Sequence, residues 1–145
     1  MTSTTNIKKN PSVVYSFEGR WEGPLRRGEI GVFFRKRRPI KTPGKVFFYI
    51  GVPVKAIIGF ADVKSIGEAS LKEAMLMKSD GSITEDELIK YIGDNGIVHA
   101  IRIGKLEFFD QAHKLDNLNA QFGFNPPQSF SILDSSFEDV LLGSA

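Results

Sequence analysis

Apolar residues in this chain come mostly in short blocks of β-branched and aromatic side chains, the mixture that pleated strands favour. Val13-Val14-Tyr15-Ser16-Phe17 is the first block. Ile30 to Arg37 is the second, and in it Val32, Phe33 and Phe34 run directly into cations. Pro39-Ile40-Lys41-Thr42-Pro43-Gly44 then reads as a turn, because two prolines and a glycine do not fit a central strand. Lys45 to Gly51 is almost pure strand former, and after Pro53 the run Val54 to Ile66 resumes with Gly59 at its middle, a sign of a bulge or a close backbone approach. Strands this continuously apolar need cover on both faces or closure into a barrel.

Helical signals follow. Ser70 to Met77 is a short helix candidate. Thr84-Glu85-Asp86-Glu87 is a capping box opening a helix through Tyr91-Ile92, its acids placed at the positive helix end and Gly93 marking the stop. Ile97 to Ile103 returns to strand alternation, with His99 on the apolar face. Leu106 to Phe109 and Ser131 to Leu133 are short strands, Leu115 to Phe122 is a short helix, and Ser135 to Leu142 is a last helical turn or tail. The count is six or seven strands with two or three short helices. Short connections between consecutive strands predict mainly antiparallel pairing. The expected class is α+β, a small, mostly antiparallel β-barrel, with a flexible tail over 1–11, one domain over 12–142 and a C-terminal tail over 143–145.

Composition narrows the chemistry. The 145 residues include no cysteine, which excludes disulfides and thiolate metal sites and fits a cytoplasmic location. The polar start, Met1 to Asn10, has no signal-peptide core, and no apolar run reaches membrane-spanning length. No membrane partner is expected. The formal net charge of +2 conceals an asymmetry: residues 20–46 carry nine basic side chains against Glu22 and Glu29, a local +7, whereas residues 47–145 carry a net −6. A positive face of this kind attracts a polyanion.

The basic cluster is the sharpest chemical feature. If the strand continues through Phe33-Phe34-Arg35-Lys36-Arg37-Arg38, its pleat places Phe33, Arg35 and Arg37 on one face and Phe34, Lys36 and Arg38 on the other. Guanidinium groups grip phosphates bidentately and unpaired bases stack on flat side chains. At least one of the two phenylalanines is expected in the core. Enzyme templates are sparse. Only His99 and His113 exist, and no zinc set, nucleophile elbow, Walker loop or dinucleotide fingerprint occurs. His99 reads as a hydrogen-bonded core residue and His113 as a loop residue. No catalytic residue, metal or cofactor is assigned.

Leu25 to Ile66, LRRGEIGVFFRKRRPIKTPGKVFFYIGVPVKAIIGFADVKSI, resembles the core of ASCH domains, of the PUA-like superfamily. Gly28, Arg35, Arg37, Pro39, Gly44, Tyr49 and Pro53 through Gly59 carry the likeness, and Tyr91, Ile101, Ile103 and Pro126-Pro127-Gln128-Ser129-Phe130 extend it over roughly 13–133. The resemblance implies a small barrel with flanking helices, a cleft beside the barrel, and an association with RNA as coactivator, modification module or regulator of transcription or RNA metabolism. Some small bacterial members resemble amidohydrolases acting on acylated cytidine. Here Ile30 and Phe33 stand where their lysine and threonine are expected, and neither can transfer a proton. The leading expectation is a nucleic-acid-binding module, for RNA first, using Arg35, Lys36, Arg37 and Arg38, extended by Arg26 and Arg27, with Tyr91, Gln128 and Ser129 in the cleft. A nucleoside hydrolase and a regulatory domain meeting an acidic partner are the alternatives, and the oligomeric state is left open.

Overall fold

A computed structural model describes residues 10–93 and 96–143. Most of the N-terminal tail expected over 1–11, and Ser144 and Ala145, lie outside the described residues. The described residues form seven strands and five α-helices, in the order β1 (Val13–Phe17), α1 (Glu22–Arg26), β2 (Val32–Arg35), β3 (Lys45–Ile50), β4 (Ala56–Ser70), α2 (Leu71–Leu76), α3 (Glu85–Ile92), β5 (Ile97–Ile103), β6 (Glu107–Lys114), α4 (Leu115–Phe122), β7 (Phe130–Ile132) and α5 (Ser135–Leu142). A single 3-10 turn, Gly19–Trp21, precedes α1. No described helix is long and apolar enough to cross a membrane.

The strands form one sheet in the order β2-β5-β4-β3-β1-β7, with β6 also paired to β4. All pairings are antiparallel except β1 with β3. The long strand β4 organises the sheet. Its first half pairs with β3 and β6, its second with β5. The bend has a local cause. Both ladders on the first half slip in register next to Ile58-Gly59, and a Cβ at Gly59 would lie 2.3 Å from the Glu107 carbonyl oxygen. Only glycine admits β6 that close, as the interrupted strand pattern indicated.

The bend curls the sheet without closing it. Phe33 on β2 meets Tyr15 and Phe17 on β1 edge-on, at 5.3 and 5.0 Å between ring centroids, yet no ladder joins the two strands. The expected barrel is thus an open, curled sheet whose gap is filled by aromatic side chains instead of a backbone ladder. Two-residue periodicity distributes the strands between cores. Tyr15, Phe17, Phe33, Phe48 and Ile50 point inside the curl. Val14, Phe47 and Tyr49 point outward against Leu118 of α4 and Phe137 and Leu141 of α5. Val32, Phe34, Val98 and Ala100 pack under Ala74 of α2 and Leu88 and Ile92 of α3. Both phenylalanines of the basic segment are therefore core, one in each layer.

Helices α2 and α3 are capped as their sequences dictate. Ser70 and Thr84 each make a reciprocal capping box, with Glu73 and Glu87. Two helices exceed the two or three expected from sequence. The five-residue α1 lies within Gly19 to Gly28, where the glycines and Pro24 suit a turn or one short helical turn, and Pro24 is tolerated near the helix start. Ser135 to Leu142, expected as a last helical turn or tail, forms the two-turn α5, opened by the Asp134 side chain accepting the Phe137 N–H at 2.9 Å.

Candidate functional site

Strand β2 delivers Arg35 to the open edge of the curl. Arg35 shares a face with Phe33, so its side chain turns towards the β1 rings. The guanidinium carbon lies 4.4 Å from the Phe17 ring centroid, 5.1 Å from Phe33 and 5.8 Å from Tyr15. Nη1 donates to the Phe34 carbonyl at 3.0 Å and Nη2 to the Ser16 carbonyl at 3.1 Å. These bonds occupy two of the five guanidinium N–H groups. Burial pushes the Arg35 pKa down, against the pull of Tyr91, Tyr15 and Glu18, but arginine remains charged. Its neighbours are rings and carbonyls, with no carboxylate in ion-pair range among the described residues.

Beyond Arg35 the chain leaves the sheet, which ends the alternation expected for Lys36, Arg37 and Arg38. Two tyrosine hydroxyls replace the ladder. The Lys36 N–H donates to the Tyr91 hydroxyl at 3.1 Å, and the Tyr15 hydroxyl donates to the Arg37 carbonyl at 2.8 Å. Burial raises the Tyr15 pKa to about 12 despite the nearby cations of Arg35 and Arg38. Lys36 and Arg37 consequently line the same cleft as Arg35, and the Lys36 ammonium lies 4.9 Å over the Tyr91 ring. Arg38 does not line that cleft; its Nε donates to the Pro39 carbonyl.

The cleft has a volume of about 560 Å³, within the range of ligand sites. Arg35, Lys36 and Arg37 form its basic side. Helix α3 contributes Tyr91 and Glu87, and the segment ahead of β7 contributes Gln128 and Ser129. That segment is held on β1: the Ser16 N–H donates to the Ser129 carbonyl at 3.2 Å and the Ser16 hydroxyl to the Pro127 carbonyl at 2.7 Å. The 3-10 turn adds Arg20 and Trp21, with the Arg20 cation 4.1 Å over the indole. Arg20, Trp21, Glu18, Ser16 and Glu87 were not singled out from the sequence. Arg20-Trp21 is a cation beside an aromatic just after a strand, the signal that flagged Phe33 to Arg35. Glu87 was absorbed by its capping role.

Arg26 and Arg27 do not extend this surface. They border a separate depression with Gly28, Lys105 and Phe108. Arg26 pairs with Glu22 at 3.0 Å and covers the Phe108 ring, while Arg27 pairs with Glu29 at 2.7 Å. Their hydrogen bond lifts the Arg27 pKa and lowers that of Glu29. Ile30 and Phe33, at the positions the amidohydrolases fill with lysine and threonine, are buried core side chains. His99 lies half-buried on β5 with its Nδ1 unpartnered, not hydrogen-bonded as expected. His113 is on β6, not in a loop, with Nε2 hydrogen-bonded to the Leu141 carbonyl. No cluster of three metal-ligating side chains occurs among the described residues.

No protein-family model matches the chain, and no curated protein does. Solved structures do. The crystal structure of ASCH from Zymomonas mobilis superposes with a TM-score of 0.83 at 22% identity, covering 92% of this chain and 94% of that one. A serine-to-alanine mutant of the same protein gives 0.82 at 21% identity, over 94% and 98% of the two chains. The N-terminal domain of McrB from Staphylothermus marinus gives 0.62 at 13% identity, over 95% and 96%. An open, curled seven-stranded sheet flanked by five helices, matched along nearly its full length, gives this chain the fold of an ASCH domain.

Proposed function

We propose that this chain, over residues 12–142, is a single PUA-like domain that binds RNA in the cleft beside β2, acting in RNA metabolism or its regulation. The observation that carries the reading is the charge state of the basic segment. Of its cations, Arg20, Arg26, Arg27 and Lys45 each sit against a carboxylate. Among the described residues no carboxylate pairs with Arg35, Lys36 or Arg37, and all three line one cleft. A cation that the protein leaves without a counter-ion is available to a phosphate, and Arg35 is pre-placed by three rings, so it loses little freedom on binding. Tyr91 and Trp21 supply flat surfaces for unstacked bases, and Gln128 and Ser129 supply polar groups for a base edge.

Filter binding of a single-stranded RNA oligonucleotide at two salt concentrations, with the same sequence as DNA alongside, tests this. Three phosphate contacts predict a slope of log K against log salt of about −2, from roughly 0.7 per contact on a single strand. Lys36→Gln with Arg37→Gln is expected to flatten it. Absent or salt-insensitive binding, or binding indifferent to those changes, overturns the assignment.

A further inference from the structure

We propose that Arg20 is a further phosphate-binding group of the cleft and that the Glu87 carboxylate occupies it until a strand arrives, so that the Arg20–Glu87 pair is a latch the ligand displaces. The proposal rests on the RNA-binding reading above. Arg20 belongs to the 3-10 turn after β1 and Glu87 to α3, so their ion pair joins two walls of one cleft. A carboxylate oxygen, here Glu87 Oε2 on Arg20 Nη2, and a phosphate oxygen accept from the same guanidinium N–H donors. Glu87 therefore fills, from within the chain, a place that a phosphodiester fits.

Three features make the pair displaceable. Both side chains remain accessible, at 52% for Arg20 and 33% for Glu87, and pairs so wetted contribute little. Arg20 is held independently by its contact over the Trp21 ring at 4.1 Å, so its position does not depend on the carboxylate. Glu87 has a second task, since its Oε1 accepts from the Thr84 N–H at 3.0 Å and from the Thr84 hydroxyl at 3.1 Å. Releasing Arg20 leaves those capping bonds in place. Glu18, the other acid near Arg20, is 3.8 Å away and almost fully exposed, and holds the cation less firmly.

The test uses Glu87→Gln, Arg20→Gln and the double variant of the whole chain. Glutamine keeps the capping box while removing the charge that competes for Arg20. The affinity for a labelled single-stranded RNA oligonucleotide is measured at two salt concentrations, with thermal melting of each variant. E87Q is expected to bind about two- to fivefold tighter, the equivalent of one accessible ion pair. R20Q is expected to lower the salt slope by about 0.7, one phosphate contact on a single strand. In the R20Q background, E87Q brings no gain. Affinity unchanged or reduced in E87Q, while the natural chain binds and loses binding in Lys36→Gln with Arg37→Gln, overturns the latch alone; a lowered melting temperature in that case identifies the pair as a strut. A gain that survives in R20Q also overturns it, as a general charge effect. Failure of every form to bind removes the RNA reading and the latch together.

Discussion

Replacing Arg35 with methionine separates a cation kept for a ligand from one kept for the fold. Methionine retains a long, slim side chain that can lie on the Phe17 and Phe33 rings, where a thioether contributes about 0.3–1.5 kcal/mol per aromatic contact. The change forfeits the cation–ring attraction, about 1–2 kcal/mol for a largely desolvated guanidinium over Phe17 at 4.4 Å. It also forfeits the bonds to the Phe34 and Ser16 carbonyls, at about 1.5–3 kcal/mol each before relief by water. Against this stands the desolvation of a charge without a counter-ion, several kcal/mol. The sign of the desolvation contribution follows from the depressed Arg35 pKa, whose first cause is burial: the folded site disfavours the charged form. The opposing contributions are of similar size, so Arg35→Met should lie within about 1.5 kcal/mol of the natural chain in urea unfolding, while RNA affinity falls about tenfold or more, equivalent to about 1.4 kcal/mol, for loss of a desolvated phosphate contact. A variant that unfolds with a loss of about 3 kcal/mol or more and retains its affinity would show that Arg35 serves packing, and the reasoning from an unneutralised cation would fail.

Gly59→Ala forces a Cβ to within 2.3 Å of the Glu107 carbonyl, so β6 must move; a loss of about 1–3 kcal/mol in stability is expected, and unchanged thermal melting would refute the close-approach reading. Arg26→Gln with Arg27→Gln should change RNA affinity much less than Lys36→Gln with Arg37→Gln, because the former pair borders a different depression and is already matched by Glu22 and Glu29; equal losses in filter binding would argue for one continuous basic surface. Tyr15 has its folded pKa raised from 10.0 to about 12, so the neutral phenol stabilises the fold fully below pH 10 and that contribution disappears as pH rises towards 12. Tyr15→Phe should flatten the alkaline decline measured by circular dichroism, at a cost of about 1 kcal/mol at neutral pH for the unmet Arg37 carbonyl; an identical decline in both proteins would place the titration elsewhere. The Asp134 carboxyl is held below its ordinary pKa, chiefly by the Phe137 N–H, so its capping of α5 persists above the usual aspartate range and is lost as pH falls through the lowered value. Protection of α5 amides in hydrogen exchange should follow that loss, and acid-insensitive protection would refute it.

Local chemistry was legible wherever it decided structure locally. Thr84 and Glu87 announced their capping box, Gly59 its close approach, and the continuous apolar runs around Tyr15 and Phe48 their double burial. Long-range geometry was not. Whether a curled sheet closes depends on how β2 meets β1, and the Phe33 contact with Tyr15 and Phe17 is not written in either strand alone. The same limit applies to the site. The Arg35-Lys36-Arg37 cluster was visible, but continued pleating was expected and the chain leaves the sheet after Arg35, because Tyr15 and Tyr91, distant in sequence, take up its backbone groups. Arg26 and Arg27 looked equivalent to the cluster by charge, and their place on a separate depression and their pairing with Glu22 and Glu29 set them apart.

Ser16 holds Pro127 and Ser129 against β1, across 111 residues of sequence in the case of Pro127, so the wall bearing Gln128 and Ser129 depends on a strand remote from it in the chain. A variant truncated after α4 would keep the residues of β2 and its cations yet lack that wall of the cleft. Occupancy would in turn restrain fraying of the short three-residue edge strand that follows that wall.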